Sequence, residues 1–313
     1  MTNLILALLY SNIIYSYLTV YSFFILFIIT GSILILKLVL KKEKWIKPNK
    51  PFPIEFRQIL TKKVHFYNQL NTQSIKRFEY KIHEFLLNHR ITGIECDVSI
   101  EENILVAASA VIPIYNIPNW NYNNLYEVFL YPEQFNQHHE IKGENRNILG
   151  MVGTGYMDGK MILSKKALHH GFDNETDKKN TAIHEFVHLI DKMDGNIDGV
   201  PEVLMEKQYI IPWIDLIEKE ITKINQGKSD INSYGGTSKT EFFAVASEYF
   251  FERPKLLAKK HPELYNMFET FFKQDLKVKG SLKSGLKLKP TDNCPCNNGK
   301  KFKDCCGKKH FNI

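Results

Sequence analysis

The clearest chemical signature in the sequence is a pair of histidines four positions apart, His184 and His188, with Glu185 beside the first. They lie in TAIHEFVHLID at 181–191, where apolar residues recur with helical spacing. On a helix this spacing puts both imidazoles on one face, one turn apart, where they can bind one tetrahedral zinc ion. Glu185 then lies next to the metal and can move a proton from the attacking water to a leaving amine. The motif therefore predicts metal-dependent hydrolysis of a peptide.

A catalytic zinc needs a third protein ligand, and the sequence offers one on a second predicted helix, 239–251. Glu241 and Glu248 are seven residues apart on one face of that helix, so either can be the ligand. A competing interpretation places Glu241 in a capping box with Ser238, where its carboxylate would only return to the helix start. Tyr234, in the glycine-containing turn before the helix, can donate its hydroxyl to a developing oxyanion.

The elements that must position these residues predict an α/β (α+β) fold. Helical periodicity marks the stretches 74–89, 104–112, 177–193, 239–251 and 262–272. Aromatic and β-branched runs predict strands at 125–131 and 161–164. We expect the strand at 161–164 to lie beside the metal site and to pair with an extended substrate.

Three pieces of the sequence jointly resemble the Mlc titration factor A family of zinc peptidases, which is structurally related to the catalytic domain of anthrax lethal factor. The pieces are HEFVHLID at 184–191, DGVP at 198–201 and TEFFAVASEYFF at 240–251. The resemblance implies a zincin-like domain with its zinc between two helices, weak aminopeptidase-like activity and binding of a sugar-responsive transcriptional regulator. A histidine proposed to cap the zinc in that family has no clear counterpart here; the nearby candidates are His138 and His139.

The resemblance also implies a role for each candidate side chain. The residues that would bind the catalytic zinc are His184, His188 and Glu241. The residues that would act on the substrate are Glu185, as general base, and Tyr234, at the oxyanion. The residues that would orient the histidines without binding the metal are Glu248 and Asp191.

The N-terminus predicts a membrane anchor. The first 36 residues carry no charge, and the apolar run 13–40 exceeds the roughly 20 residues that span a bilayer as a helix. Lysines and Trp45 follow it, as at a cytoplasmic interface, and no basic region or cleavage site of a signal peptide precedes it. We therefore expect one uncleaved span in the cytoplasmic membrane, with the main domain facing the cytoplasm. The alternatives are a buried core helix and a two-helix hairpin.

The C-terminus carries four clustered cysteines in the form C-x-C, eight residues, C-C: Cys294, Cys296, Cys305 and Cys306. This pattern resembles the SEC-C motif and implies a structural zinc in a closed tetrahedral site. Two disulfides are the alternative, which a cytoplasmic location disfavours. The lysines around the cysteines predict either a docking tag for an acidic protein surface or RNA, or a solvated basic tail.

Four segments follow from these features: an anchor at 1–47, the peptidase domain at 48–273, a flexible basic linker at 274–292 and the zinc knuckle at 293–313. The net charge of +7 is concentrated after the apolar N-terminus and in the tail, which argues against a nucleic-acid-binding stripe on the main domain.

The sequence thus predicts a zinc metallopeptidase with two zinc ions, one catalytic and one structural, and a peptide or protein as substrate. A second hypothesis is a membrane-tethered platform that captures a transcriptional regulator with little or no hydrolysis. A third is a nucleic-acid binder that acts through the basic tail, with salt-sensitive RNA binding.

Overall fold

The computed structural model describes residues 21–33, 45–174 and 176–277, together with the isolated positions Thr291 and Lys301. The four clustered cysteines, most of the predicted linker and most of the predicted anchor lie outside these residues. The chain divides into two units, Met1–Trp45 and Ile46–Ile313. In the first, residues 21–33 are helical. Over the described parts of the chain, no helix is both long and apolar enough to cross a membrane.

Helices dominate the second unit. Its described residues form ten α-helices: Ile54–Lys63 (α1), His65–Asn68 (α2), Thr72–Asn88 (α3), Ile100–Ile114 (α4), Lys165–Asp173 (α5), Thr181–Asp191 (α6), Ile210–Asn225 (α7), Lys239–Glu252 (α8), Pro254–Lys260 (α9) and Pro262–Phe272 (α10). The mixed α/β class predicted from the sequence is confirmed.

One four-stranded sheet accompanies the helices. Its strands are Arg90–Gly93 (β1), Glu127–Tyr131 (β2), Gly150–Val152 (β3) and Lys160–Ser164 (β4), in the spatial order β1-β2-β4-β3. The first three in that order are parallel, and β3 runs antiparallel to β4. Because β4 is paired on both sides, its backbone cannot pair with a substrate. The prediction that the strand at 161–164 binds substrate is therefore wrong, and β3 occupies the sheet edge instead.

The core forms around α4, an apolar helix in which twelve of fifteen residues are buried. Helix α6 packs against α4 and also against α8. Phe186 of α6 is fully buried, with its ring 5.7 Å from that of Phe85 and 5.3 Å from that of Tyr122. Truncating a buried phenylalanine to alanine costs about 3–5 kcal/mol, so this contact holds α6 firmly in the core.

Candidate active site

The start of α6 is set by Asn180. Its side chain accepts a hydrogen bond from the Ile183 N–H at 3.1 Å and donates another to the Gly171 carbonyl at 3.0 Å. Asparagine is a favoured N-cap because its side chain satisfies an amide that lacks a partner in the first turn. The helix ends at Asp191, followed by a 3-10 turn that Gly195 closes with a φ of 105°. The motif histidines thus lie on a helix fixed at both ends.

The two motif histidines are buried and converge on one point. Nε2 of His188 lies 3.0 Å from Nε2 of His184. A carboxylate oxygen of Glu241, from α8, lies 3.1 Å from His184 Nε2 and 3.6 Å from His188 Nε2. Two ring nitrogens and one carboxylate oxygen from two helices therefore face a common centre.

This cluster fits a zinc ion. At metal–ligand distances of about 2.0–2.1 Å, the ligand atoms of a tetrahedral site lie about 3.3 Å apart. The separations of 3.0, 3.1 and 3.6 Å bracket that value. Burial lowers the pKa of His184, but the bonds to Glu241 and Glu248 outweigh burial and raise it to about 10. Such a negative environment stabilises a cation, and a metal ion would take the position of the Nε2 proton.

From the sequence alone, the Glu241 side chain can be either a metal ligand or part of the helix cap. Ser238 caps α8 by accepting the Glu241 backbone N–H at 3.1 Å. The Glu241 carboxylate faces the histidines, and their bonds outweigh burial and hold its pKa well below the usual range. It is therefore ionised and available as a metal ligand.

Glu248 lies two turns further along α8 and contacts the opposite nitrogen of the same imidazole. Its Oε1 is 2.8 Å from His184 Nδ1, and its Oε2 accepts the Asn180 backbone N–H at 2.5 Å. A carboxylate on Nδ1 fixes the ring orientation and keeps Nε2 free for a metal.

Glu185 is buried next to the edge strand. A Cβ on Gly150 of β3 would lie only 2.6 Å from Glu185 Oε1, so any larger residue there would force the Glu185 side chain or the strand to shift. Burial raises the pKa of the Glu185 carboxyl. A buried carboxyl beside the histidines is placed to take up and return a proton, as a proton shuttle requires.

Tyr234 lies in the 3-10 turn Ser233–Gly236, with 53% of its surface exposed. Its ring is stacked near His184, at a centroid distance of 6.2 Å and an interplanar angle of 29°. Partial burial and the nearby Glu241 carboxylate raise the pKa of its hydroxyl to about 12. The hydroxyl therefore stays protonated at neutral pH and can donate a hydrogen bond.

Asp191 and His139 are further candidates from the sequence. Asp191 is fully buried, and its Oδ2 accepts the Gly199 N–H at 2.8 Å, which fixes the loop after α6. Two buried polar atoms, Asp191 Oδ1 and His188 Nδ1, have no hydrogen-bond partner among the described residues. The ring of His139 contacts the hydroxyl of Tyr156, at 3.4 Å.

Two residues of the site have no motif in the sequence that marks them. Gly150 precedes Glu185 by 35 positions and sits on a strand of three residues, too short for a periodic signal. Asn180 is recognisable as an N-cap, but its bond to Glu248 depends on how α8 packs against α6. Both contacts arise from tertiary structure.

The fold and this arrangement of donors define a metallopeptidase-like protein. The chain belongs to the glucose-regulated metallo-peptidase M90 family, whose sequence profile matches residues 38–273.

Individual relatives agree with this assignment. An uncharacterized protein of Synechocystis sp. is 27% identical over 235 residues, which are 71% of this chain and 85% of that protein. Mlc titration factor A of Escherichia fergusonii is 26% identical over 227 residues, 66% of this chain and 82% of that protein. Mlc titration factor A of Pectobacterium atrosepticum is 28% identical over 178 residues, 52% of this chain and 65% of that protein.

Proposed function

We propose that this protein is a zinc-dependent peptidase, with His184, His188 and Glu241 as ligands. The observation that carries the proposal is the convergence of these three donors, from α6 and α8, within 4.8 Å of one another, with Glu185 on the same helix as the two histidines. Membership of the M90 family supports it. A platform that only bound a partner would need no buried carboxyl beside the donors.

The side chains divide the work of hydrolysis. Zinc, when bound, supplies a Lewis acid that polarises the scissile carbonyl and lowers the pKa of water to about 7. Glu185 accepts the proton of the attacking water and passes it to the leaving amine. The Tyr234 hydroxyl donates to the oxyanion that develops on the carbonyl oxygen. Glu248 keeps the His184 ring in place throughout.

The edge of β3 that faces away from β4 offers a place for an extended peptide, because no described strand pairs with β3 there, although Phe135 bridges Ile148 just before it. Leu149 accepts the Ser164 N–H, and the Gly153 N–H donates to Lys160, so both residues face β4. Backbone direction alternates along an antiparallel strand, which turns the N–H and C=O groups of Gly150 and Val152 away from β4. A substrate paired there would pass Glu185, since Gly150 packs against it.

The fragment 46–313 allows a direct test, because every residue of the large hydrophobic core lies in that unit. Zinc content and cleavage of a chromogenic peptide panel are measured for the wild-type fragment and for Glu185→Gln. We expect equal zinc content and a loss of about 100- to 10,000-fold in activity, the usual contribution of a general acid–base residue. Equal cleavage by both proteins, or none by a zinc-loaded wild type, would contradict the proposal.

A second candidate is capture of a transcriptional regulator. It is favoured by relatives named for titrating Mlc, Mlc titration factor A. The test is binding of a purified Mlc-type repressor to the wild-type fragment and to Glu185→Gln. Equal binding by two proteins that do not cleave peptides would support capture as the main activity.

We also propose the structural zinc of the C-terminal cysteines and the N-terminal membrane anchor, both on sequence grounds alone. Metal analysis of the fragment should give two zinc ions per chain, and one in Cys305→Ser. Membrane fractionation of the full chain tests the anchor.

A further inference from the structure

A cavity of about 660 Å³ lies at the N-terminal end of α6, and none of the proposed zinc ligands lines it. Asn180 and Ile183 contribute from the start of α6, and the rest of the wall comes from α2, α4, α5, α8, α9 and neighbouring loop residues. Much of the lining is apolar: Val64, Phe66, Ile112, Phe172, Phe251 and Leu256. Its volume is in the range of small-molecule sites, and its wall suits a hydrocarbon chain.

One side of the cavity is positively charged. Arg253, Lys255 and Lys259 line it, at the start of α9 and along it. The two lysines are four positions apart and therefore lie on the same helix face, both exposed. Arg253 donates to the Thr176 carbonyl oxygen at 2.9 Å, and its guanidinium has no ion pair among the described residues. This side therefore attracts an anion.

Glu252 does not cancel that charge, although it is the one acidic side chain among the described residues that line the cavity. Burial, with the nearby Asp177 and Glu248 carboxylates, raises its pKa to about 8. Its Oε2 accepts the Lys179 backbone N–H at 3.0 Å. Three cationic side chains face this one carboxyl in the described lining, so the lining has a net positive charge in either protonation state of Glu252.

We propose that this cavity binds a single-chain amphipathic carboxylate. The alkyl chain would lie against the apolar wall and the head group beside Arg253, Lys255 and Lys259. An apolar wall with a cationic side fits both halves of such a molecule, whereas an amphipathic amine would place its charge against three cations. The cavity shares Asn180 with the surroundings of the peptidase centre, but neither the proposed zinc ligands nor Glu185 and Tyr234 line it, so its occupancy does not depend on hydrolysis.

Isothermal titration of fragment 46–313 tests the proposal with three probes of equal chain length: octanoate, octylamine and 1-octanol. We expect octanoate to bind at least tenfold more tightly than the other two. Hexanoate should bind about fifteenfold more weakly than octanoate, because it lacks two CH₂ groups and each buried CH₂ contributes a factor of about four. Undetectable octanoate binding, or equal binding of octylamine or 1-octanol, would overturn the proposal.

Substitutions in the cavity wall test whether octanoate binds there. Lys255→Ser combined with Lys259→Ser should weaken octanoate at least tenfold and leave 1-octanol unchanged. The exposed Lys228, outside the cavity lining, gives the matched control Lys228→Ser, which should bind as wild type does. Leu256→Trp should fill the cavity and abolish binding, while zinc content and circular dichroism report an intact fold. Undiminished octanoate binding by the double lysine variant or by Leu256→Trp would contradict this location.

Discussion

Glu248 Oε1 lies 2.8 Å from His184 Nδ1, while the other oxygen of the same carboxylate accepts the backbone N–H of Asn180, the N-cap of the helix. One carboxylate on α8 thus fixes both the orientation of a proposed ligand and the start of the helix that carries it. The packing of α8 against α6 and the geometry of the metal site are therefore coupled.

This coupling predicts the effect of Glu248→Gln. A glutamine has one acceptor oxygen where the glutamate has two, so either the imidazole or the Asn180 N–H loses its acceptor. We expect zinc affinity to fall about 10- to 100-fold, the usual effect of losing a partner of a metal-binding histidine. Competition with a chromogenic chelator measures it. Glu263→Gln, at an exposed carboxylate that pairs with Lys219, is the control and should bind zinc as wild type does. Unchanged affinity in Glu248→Gln would contradict the orienting role.

Gly150→Ala should damage activity without removing the metal. The added Cβ would lie 2.6 Å from Glu185 Oε1, so the carboxylate must move or the strand must shift. Overpacking of this kind costs about 1–3 kcal/mol. We expect a lower melting temperature and a kcat at least tenfold lower, with zinc content unchanged. Val152→Ala, on the same strand, is the control and should keep kcat within a few-fold of wild type. Wild-type kcat in Gly150→Ala would show that the Glu185 position has no bearing on the reaction.

Zinc should stabilise the fragment through the histidine pair. A ligand present at 100 times its dissociation constant stabilises the folded state by about 2.7 kcal/mol. We therefore expect a chelator to lower the melting temperature of the wild-type fragment and to leave that of His188→Ala unchanged. His170→Ala removes an exposed histidine that pairs with Asp177 and should respond as wild type does. An equal response in all three proteins would place the stabilising metal elsewhere.

The sequence predicts those parts of the site whose geometry depends on residues close together in the chain. The spacing of His184 and His188 encodes a shared helix face, so their convergence follows from helix geometry alone. Glu241 and Glu248 occupy one face of their helix, and periodicity cannot tell which carboxylate reaches Nε2. The structure separates them, because α8 crosses α6 with Glu241 at Nε2 and Glu248 at Nδ1.

The fold shows the same limit. Five of the ten described helices were predicted, with Pro262–Phe272 at its observed bounds, but the amphipathic helix Ile210–Asn225 was missed. Strands β1 and β3 were missed, because four and three residues give too little pattern. The strand β4 was predicted, but its interior position was not, since strand order depends on pairing between distant segments.

A buried ionic cluster around His261 predicts how stability varies with pH. His261 bonds to Glu220 at 3.0 Å and to Asp230 at 2.9 Å. The other groups on these carboxylates are Lys178, Lys223, Tyr249 and Lys260. Burial disfavours the charged form of each of these groups, but their hydrogen bonds favour it more strongly. The net effect lowers the pKa of Asp230 and Glu220 and raises that of His261.

These opposite pKa shifts predict that the contribution of the cluster to stability follows a bell-shaped curve with pH. The carboxylates contribute stability above their unfolded pKa of about 4, and that contribution is lost as pH falls through the lower folded values. His261 contributes below its unfolded pKa of about 6.5, and that contribution is lost as pH rises through the higher folded value. Urea unfolding of the fragment should therefore show this contribution to be largest between about pH 4.5 and 6.5. Asp230→Asn should lower stability in that range and flatten the acid side, and an unchanged profile would contradict the assignment.

The ring of Tyr234 lies beside His184, and its hydroxyl stays protonated at neutral pH. Tyr234→Phe keeps the ring and removes only the donor, so zinc content and substrate binding should remain as in wild type. The donor acts on charge that develops in the transition state, and losing one such donor costs about 100- to 1,000-fold in kcat. We expect kcat to fall by that factor with KM nearly constant. Tyr156→Phe, at another exposed tyrosine, is the matched control. A rise in KM with unchanged kcat would instead assign Tyr234 to substrate binding, because uniform binding of ground and transition states affects KM alone.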